Sequence, residues 1–331
     1  MNAPATVKPE DIRAARTRIA GKVLRTPMVE DPQLGALLGV PVFLKLEHRQ
    51  TTGAFKLRGA TNALLSLTPA QRARGVVTAS TGNHGRALAQ AARSEGVRAV
   101  VCLSRLVPAN KVAAVRALGA EVRIVGDSQD EAMQEVARAV RDEGLSEIAP
   151  FDDAAVIAGQ GTLGFEIIED CPEAHTLLVP LSGGGLAAGV ALALKASNPD
   201  ARIVGISMAR GAAMAASLTA GHPVQVPELP TLADSLGGGI GLANRFTYPM
   251  CKALLDQVVL LDEAEIAAGI RHIHKVTGDA VEGAAAVGVA ALIAGKIIPE
   301  GPTVALLTGA NIDAALHAQI MSGALPQEVL A

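Results

Sequence analysis

The sequence predicts an α/β fold, with parallel or mixed sheets flanked by helices, on three observations. Half of its 331 residues are apolar and 34 are glycine, which suits a large buried core with many tight turns. Short apolar runs alternate with segments of helical period along most of the chain. Several of those runs end in loops rich in glycine or hydroxyl side chains that open directly into a helix. The length allows one large domain or two ordinary ones.

In chain order, Glu10–Ala20 reads as an opening helix stopped by Gly21, and Val42–Leu46 as a short strand. Phe55–Leu67 has helical spacing and ends before Pro69. An alternating series follows: strand Gly75–Ala79, helix Asn83–Arg93, strand Val97–Leu103, helix Ala109–Leu118, strand Val122–Val125 and helix Ser128–Glu143. Such alternation implies parallel pairing through right-handed crossovers. A second series runs from helix Ile157–Ile168 through strand Leu177–Leu181, helix Gly185–Ala196 and strand Ile203–Ser207. It closes with strand Val258–Leu261, helices Glu263–Val276 and Glu282–Ala294, and strand Val304–Leu307. No linker or low-complexity stretch separates the two series.

Composition excludes several classes. A net charge of -3 and 2% aromatic residues leave neither a basic footprint nor stacking surfaces for nucleic acid. No run is long and apolar enough to span a membrane, and the N-terminus lacks the pattern of a signal peptide. Cys102, Cys171 and Cys251 are few and widely spaced, so buried free thiols in a reducing cytoplasm are expected.

Four segments carry chemistry. In Gln50-Thr51-Thr52-Gly53-Ala54-Phe55-Lys56-Leu57-Arg58-Gly59-Ala60, a lysine amine sits among apolar neighbours. Burial would lower its pKa and make it a nucleophile or base. Alone, a lysine at a helix start is a solvated one. Ser182-Gly183-Gly184-Gly185-Leu186 follows a strand and opens a helix, so its backbone N–H groups suit an anion such as phosphate. A dinucleotide site is the competitor, but it calls for an acidic residue near the next strand tip, where Ser207 stands. Ser80-Thr81-Gly82-Asn83-His84 has the same strand-to-helix setting and suits a carboxylate, although these residues also serve as ordinary caps. Thr308 ends the last strand in Leu307-Thr308-Gly309-Ala310-Asn311, where a plain strand-end threonine is the competing reading.

Together and in this order, the four segments resemble the serine/threonine dehydratase family of fold type II pyridoxal-phosphate enzymes, over nearly the whole chain. The resemblance implies a two-domain, tryptophan synthase β-like architecture. In it a small α/β domain, 48–149, is inserted into a large cofactor-binding domain, 1–47 plus 150–331. It implies pyridoxal 5'-phosphate as cofactor, held by Phe55, Lys56, Asn83, Ser182, Gly183, Gly184, Gly185, Leu186 and Thr308, with Lys56 forming the Schiff base. Ser80, Thr81, Gly82, Asn83 and His84 would grip the substrate carboxylate, with Lys56 and Thr81 catalytic. The implied reaction is loss of water from a β-hydroxy-α-amino acid to give a 2-oxo acid and ammonia.

The segments Leu44–Gly53 and Gly205–Met208 look like the hydroxyectoine-utilisation branch, whose substrate would carry an extra amine. A racemase or 3-hydroxyaspartate ammonia-lyase on this scaffold is the alternative, since a hydroxyl at Thr81 could protonate a carbanion. A non-enzymatic small-molecule sensor is the other. Ser207 departs from the glutamate of metal-using members, so no metal site is expected. A homodimer or homotetramer is expected from the family. With the chain stopping at Ala331, the C-terminal regulatory domain of feedback-controlled threonine dehydratases is not expected. His272 and His274 read as part of a solvated helix, and Asp152 and Asp153 as serving the dipole of the helix after them. Thr231–Ser235 and Val281–Ala284 resemble segments that approach the cofactor pocket.

Overall fold

The computed structural model describes residues 6–80, 82–107 and 109–330. Among them the strands are β1 Met28–Glu30, β2 Val42–Lys45, β3 Val76–Ala79, β4 Ala99–Leu103, β5 Glu121–Ile124, β6 Ser146–Glu147, β7 Thr176–Pro180, β8 Arg202–Met208, β9 Gln257–Leu261 and β10 Thr303–Leu306. They form a six-stranded sheet in the order β1-β2-β10-β7-β8-β9 and a four-stranded sheet in the order β5-β4-β3-β6. All pairings are parallel except that of edge strand β1 with β2. The chain leaves the larger sheet after β2 and re-enters it at β7, so the smaller sheet is built from the intervening residues.

Both faces of the larger sheet are covered, which is why its inner strands read as unbroken apolar runs rather than alternating ones. Val304 and Leu306 pack into one apolar cluster with the helices Pro9–Ile19, Ala154–Asp170 and Gly185–Ser197. Ala305 and Leu307 point the other way, into a cluster with the helices Glu263–Thr277 and Gly283–Ile293. The smaller sheet divides likewise. Val76, Val101 and Leu103 pack with helices Lys56–Ser66 and Asn83–Glu95, whereas Val77, Val100 and Cys102 pack with Gln129–Glu143. Helix Lys56–Ser66 approaches Ala154–Asp170 closely, because a Cβ on Gly159 would lie 2.7 Å from the Gly59 Cα.

The strands and helices expected from the alternation all form, with ends shifted by a few residues. Elements without a visible period are additional. Strands β1 and β6 are too short to alternate, and helix Pro69–Arg74 buries no residue and so has no apolar stripe. Pro69 both ends one helix and starts the next, whose N-cap Thr68 forms a capping box with Gln71.

Two expectations are corrected. His272 is not solvated: its Nε2 lies 2.6 Å from the Asp31 carboxylate, which also caps helix Pro32–Leu38. Burial of Ile266, Ile270 and Ile273 on the same helix sets its rotation. Asp153 caps Ala154–Asp170 as expected, but Asp152 instead accepts from the backbone N–H groups of Arg245, Phe246 and Thr247, at the start of helix Thr247–Leu254.

The three cysteines are buried free thiols, and burial pushes their pKa up, to about 12 at Cys251. Among the described residues no helix is long and apolar enough to cross a membrane.

Candidate active site

The loops that follow β2, β3, β7 and β10 carry the four sequence segments, so all four leave the carboxyl ends of parallel strands. Open α/β sheets commonly bind ligands there. The segment before Lys56 is fastened to the one after β10. Ala54 bridges Gly309, Phe55 N–H donates to the Thr308 carbonyl at 3.0 Å, and Ala310 N–H donates to the Gly53 carbonyl at 2.8 Å.

Lys56 begins helix Lys56–Ser66. The residue is half-buried, but its amine turns inward and donates to the Pro150 carbonyl at 2.7 Å. Burial pulls its pKa down to about 8, with the nearby Glu282 carboxylate acting in the opposite direction. Phe55 lies beside the amine, its ring centroid 5.3 Å from Nζ.

Phe151, next to Pro150, links the lysine to the glycine loop. A Cβ on Gly183 would collide with its ring at 2.3 Å. Gly184 adopts φ 87 as the N-cap of helix Gly185–Ser197, a conformation that favours glycine. Leu186 sends its side chain into the core, so only its backbone faces the loop. None of the N–H groups of Gly183, Gly184, Gly185 and Leu186 has a protein acceptor among the described residues. At a helix start these are the donors an anion would meet.

The loop after β3 opens helix Asn83–Glu95. Ser80 is partly buried, and Gly82 borders open space, with nothing within 4 Å of where its Cβ would lie. Thr81 lies outside the described residues. His84 behaves differently from a carboxylate-gripping cation. Its ring is buried, its Nε2 pairs with the Ile148 carbonyl at 2.9 Å, and burial, with the Lys56 charge, drives its pKa down to about 3. The ring is therefore neutral and committed to Ile148, leaving its backbone N–H for a ligand.

Sequence reasoning did not single out the network around Asn83. Its amide donates to both Glu282 oxygens, at 2.8 and 3.2 Å, and its carbonyl accepts from Asn311 Nδ2. Glu282 is 4% exposed, and burial raises its pKa to about 7 against the opposing Asn83 hydrogen bond. Asp234 raises it further and Ser235 lowers it, which brings the Thr231–Ser235 and Val281–Ala284 segments together. A Cβ on Gly309 would lie 2.5 Å from the Glu282 carboxylate, so this motif glycine makes room for the acid. Thr308 is 3% exposed, and its hydroxyl has no hydrogen-bond partner among the described residues.

These groups fit pyridoxal phosphate. A desolvated amine suits its aldehyde, unpaired N–H groups at a helix start suit its phosphate, and a free hydroxyl on a largely buried residue and an amide donor suit its ring heteroatoms.

The lysine also predicts a pH effect on the cofactor-free protein. Its folded pKa near 8 lies below its ordinary 10.5, so the unfolded chain binds more protons between those values. Stability should therefore rise as pH climbs through that window, by about 3 kcal/mol from this group. In Lys56→Met that rise should vanish, measured by urea unfolding at pH 7 and 10. The window lies above the range in which Glu282 titrates.

The comparisons agree with this geometry. Residues 19–309 match the family described as pyridoxal-phosphate dependent enzyme. A Sinorhizobium fredii protein provisionally named a threonine dehydratase is 58% identical, covering 98% of both chains. The L-threonine ammonia-lyase of Geobacter sulfurreducens is 40% identical over 91% of this chain and 75% of its own. The solved structure of maize serine racemase superposes with a TM-score of 0.90 at 34% identity, covering 96% of this chain and 98% of that one. The chain belongs to the pyridoxal-phosphate dependent enzymes, as a lyase of their serine/threonine dehydratase family.

Proposed function

We propose that the protein eliminates water from a β-hydroxy-α-amino acid of the L-threonine or L-serine type, leaving a 2-oxo acid and ammonia. The observation that carries this reading is the Lys56 amine, desolvated, near neutral in pKa and held on one carbonyl beside the glycine loop. Such an amine takes a substrate α-proton once it is free to do so. When bound, pyridoxal phosphate supplies the electron sink for that deprotonation. The N–H groups of Gly183–Leu186 would hold its phosphate, Phe55 would flank it, and Asn83 would donate to its ring oxygen. Thr308 would meet the ring nitrogen. A neutral hydroxyl does not force a proton onto that nitrogen as a carboxylate would, which suits elimination over transamination. Ser80, Thr81, Gly82 and the helix start at Asn83 would bind the substrate carboxylate.

A larger 3-hydroxy amino acid with a second amine is the finer reading, favoured by the Asp234 and Glu282 carboxylates at one side of the site. Racemisation is the competing one, favoured by the likeness to maize serine racemase.

The test is an assay panel of L-threonine, L-serine, 3-hydroxyaspartate and a diamino 3-hydroxy acid, scored for 2-oxo acid, ammonia and product chirality. Equimolar 2-oxo acid and ammonia are expected, and the preferred member names the substrate. D-amino acid formed without 2-oxo acid would replace this reading with a racemase. A protein that stays colourless with pyridoxal phosphate, yet is stabilised by amino acids, would replace it with a sensor.

A further inference from the structure

Arg86 lies one helical turn beyond Asn83, so the two share a face of the Asn83–Glu95 helix. It is partly buried and makes no ion pair among the described residues. Its one side-chain hydrogen bond runs from Nη1 to Asn311 Oδ1, at 2.5 Å. A guanidinium offers donors only, so the atom it meets on Asn311 must be the amide oxygen. That turns the Asn311 NH2 group toward Asn83 Oδ1, at 2.5 Å, and toward the Thr52 carbonyl at 3.3 Å. Asn83 Oδ1 is thereby occupied, and its NH2 group faces Glu282. Every link has one direction, fixed by the arginine at one end and by the Glu282 carboxylate at the other. With both amides reversed, Asn83 would present a carbonyl to the Glu282 carboxylate, oxygen against oxygen.

We infer that Arg86 is a positioning residue, which through Asn311 helps to fix the amide of Asn83 so that its NH2 group, shared with Glu282, rather than its C=O, lies where the cofactor's ring oxygen would meet it. The inference rests on the reading above that Asn83 meets that oxygen. It assigns Arg86 no contact with substrate or cofactor. Gly53 belongs to the same device: a Cβ there would lie 3.2 Å from Asn311 Oδ1, tighter than ordinary contact, so the glycine before Lys56 leaves space for the relay.

The test compares the holoenzymes of wild type, Arg86→Met, Arg86→Lys, Asn311→Ala and the double variant Arg86→Met/Asn311→Ala. Readouts are the visible absorption maximum, the pH midpoint of that band and the cofactor dissociation constant. Arg86→Met should shift the band and weaken cofactor binding about tenfold, the scale of one charge-assisted hydrogen bond. Arg86→Lys, still a pure donor, should restore the wild-type spectrum. Adding Arg86→Met to Asn311→Ala should change nothing further, because the path is already cut.

Equal effects of Arg86→Met with and without Asn311 would mean that the arginine acts through its charge, and would overturn the inference. So would an unshifted spectrum in a folded Arg86→Met protein. If Arg86→Met does not fold, Asn311→Ala alone must shift the band for the inference to stand. Asn83→Ala separates the two levels. If it leaves spectrum and affinity unchanged, the reading of Asn83 itself fails. If it changes them while Arg86→Met does not, only the inference fails.

Discussion

Lys56→Ala is expected to keep the fold and lower turnover of the preferred substrate by at least about 10³-fold, the scale of a lost proton-transfer group. The fold should survive because the side chain makes one hydrogen bond, to Pro150, and contributes to none of the apolar clusters. Chemistry should not survive, because among the described residues no other lysine amine is shown at the glycine loop. His84 is the nearby titratable alternative, but its pKa near 3 and its bond to Ile148 leave it without a mobile proton at neutral pH. The visible absorption of a lysine-bound cofactor should vanish along with activity, while circular dichroism stays unchanged. Wild-type turnover in this variant would remove Lys56 from the mechanism.

Arg58→Ala is expected to cost about 3–5 kcal/mol of stability, the penalty for orphaning buried charge. Arg58 is 1% exposed and sits two residues beyond the lysine. Its guanidinium holds Glu47 at 2.7 and 2.8 Å and Glu166 at 2.6 and 3.0 Å, and it also donates to the Leu24 carbonyl. Lys45, fully buried, meets Glu166 and Asp170 at 3.0 Å each. Burial, the largest single influence, would raise the Glu47 pKa, but the charge and hydrogen bonds of Arg58, the Thr26 hydrogen bond and the Lys45 charge together keep the carboxyl below its usual range. Without the arginine that balance reverses, so the loss should shrink as pH falls and Glu47 takes a proton. Arg58→Met/Glu47→Gln should recover part of the loss, since it removes the stranded charge as well. Urea unfolding at pH 5 and 7 checks both points. A cost near 1 kcal/mol at pH 7 would mark the cluster as solvated.

The buried cluster and the Asn83 relay were the parts least visible beforehand. Arg58 and Asn311 lie inside the motif segments, but nothing local distinguishes a buried arginine in an apolar helix from a surface one. Their partners are far along the chain, Glu166 for Arg58 and Asn83 for Asn311. Glu282 was placed near the pocket only as part of a segment, and its raised pKa has no local cause, since it comes from burial under distant elements. His272 and Asp152 were misplaced for the same reason: their partners, Asp31 and the start of helix Thr247–Leu254, are contacts of tertiary packing.

The sequence by itself determined the alternation of strands and helices and the loops that close them, and it singled out Lys56 as the candidate reactive lysine. Periodicity, glycine placement and strand-to-helix turns are local properties written within a few residues. Only the tertiary structure decided which loops meet, which acid faces Asn83, that His84 is neutral and which way each amide points. Those depend on desolvation and on donor–acceptor pairing between residues far apart in the chain, 64 positions for His84 and Ile148 and 199 for Asn83 and Glu282, and neither has a signature in a single segment.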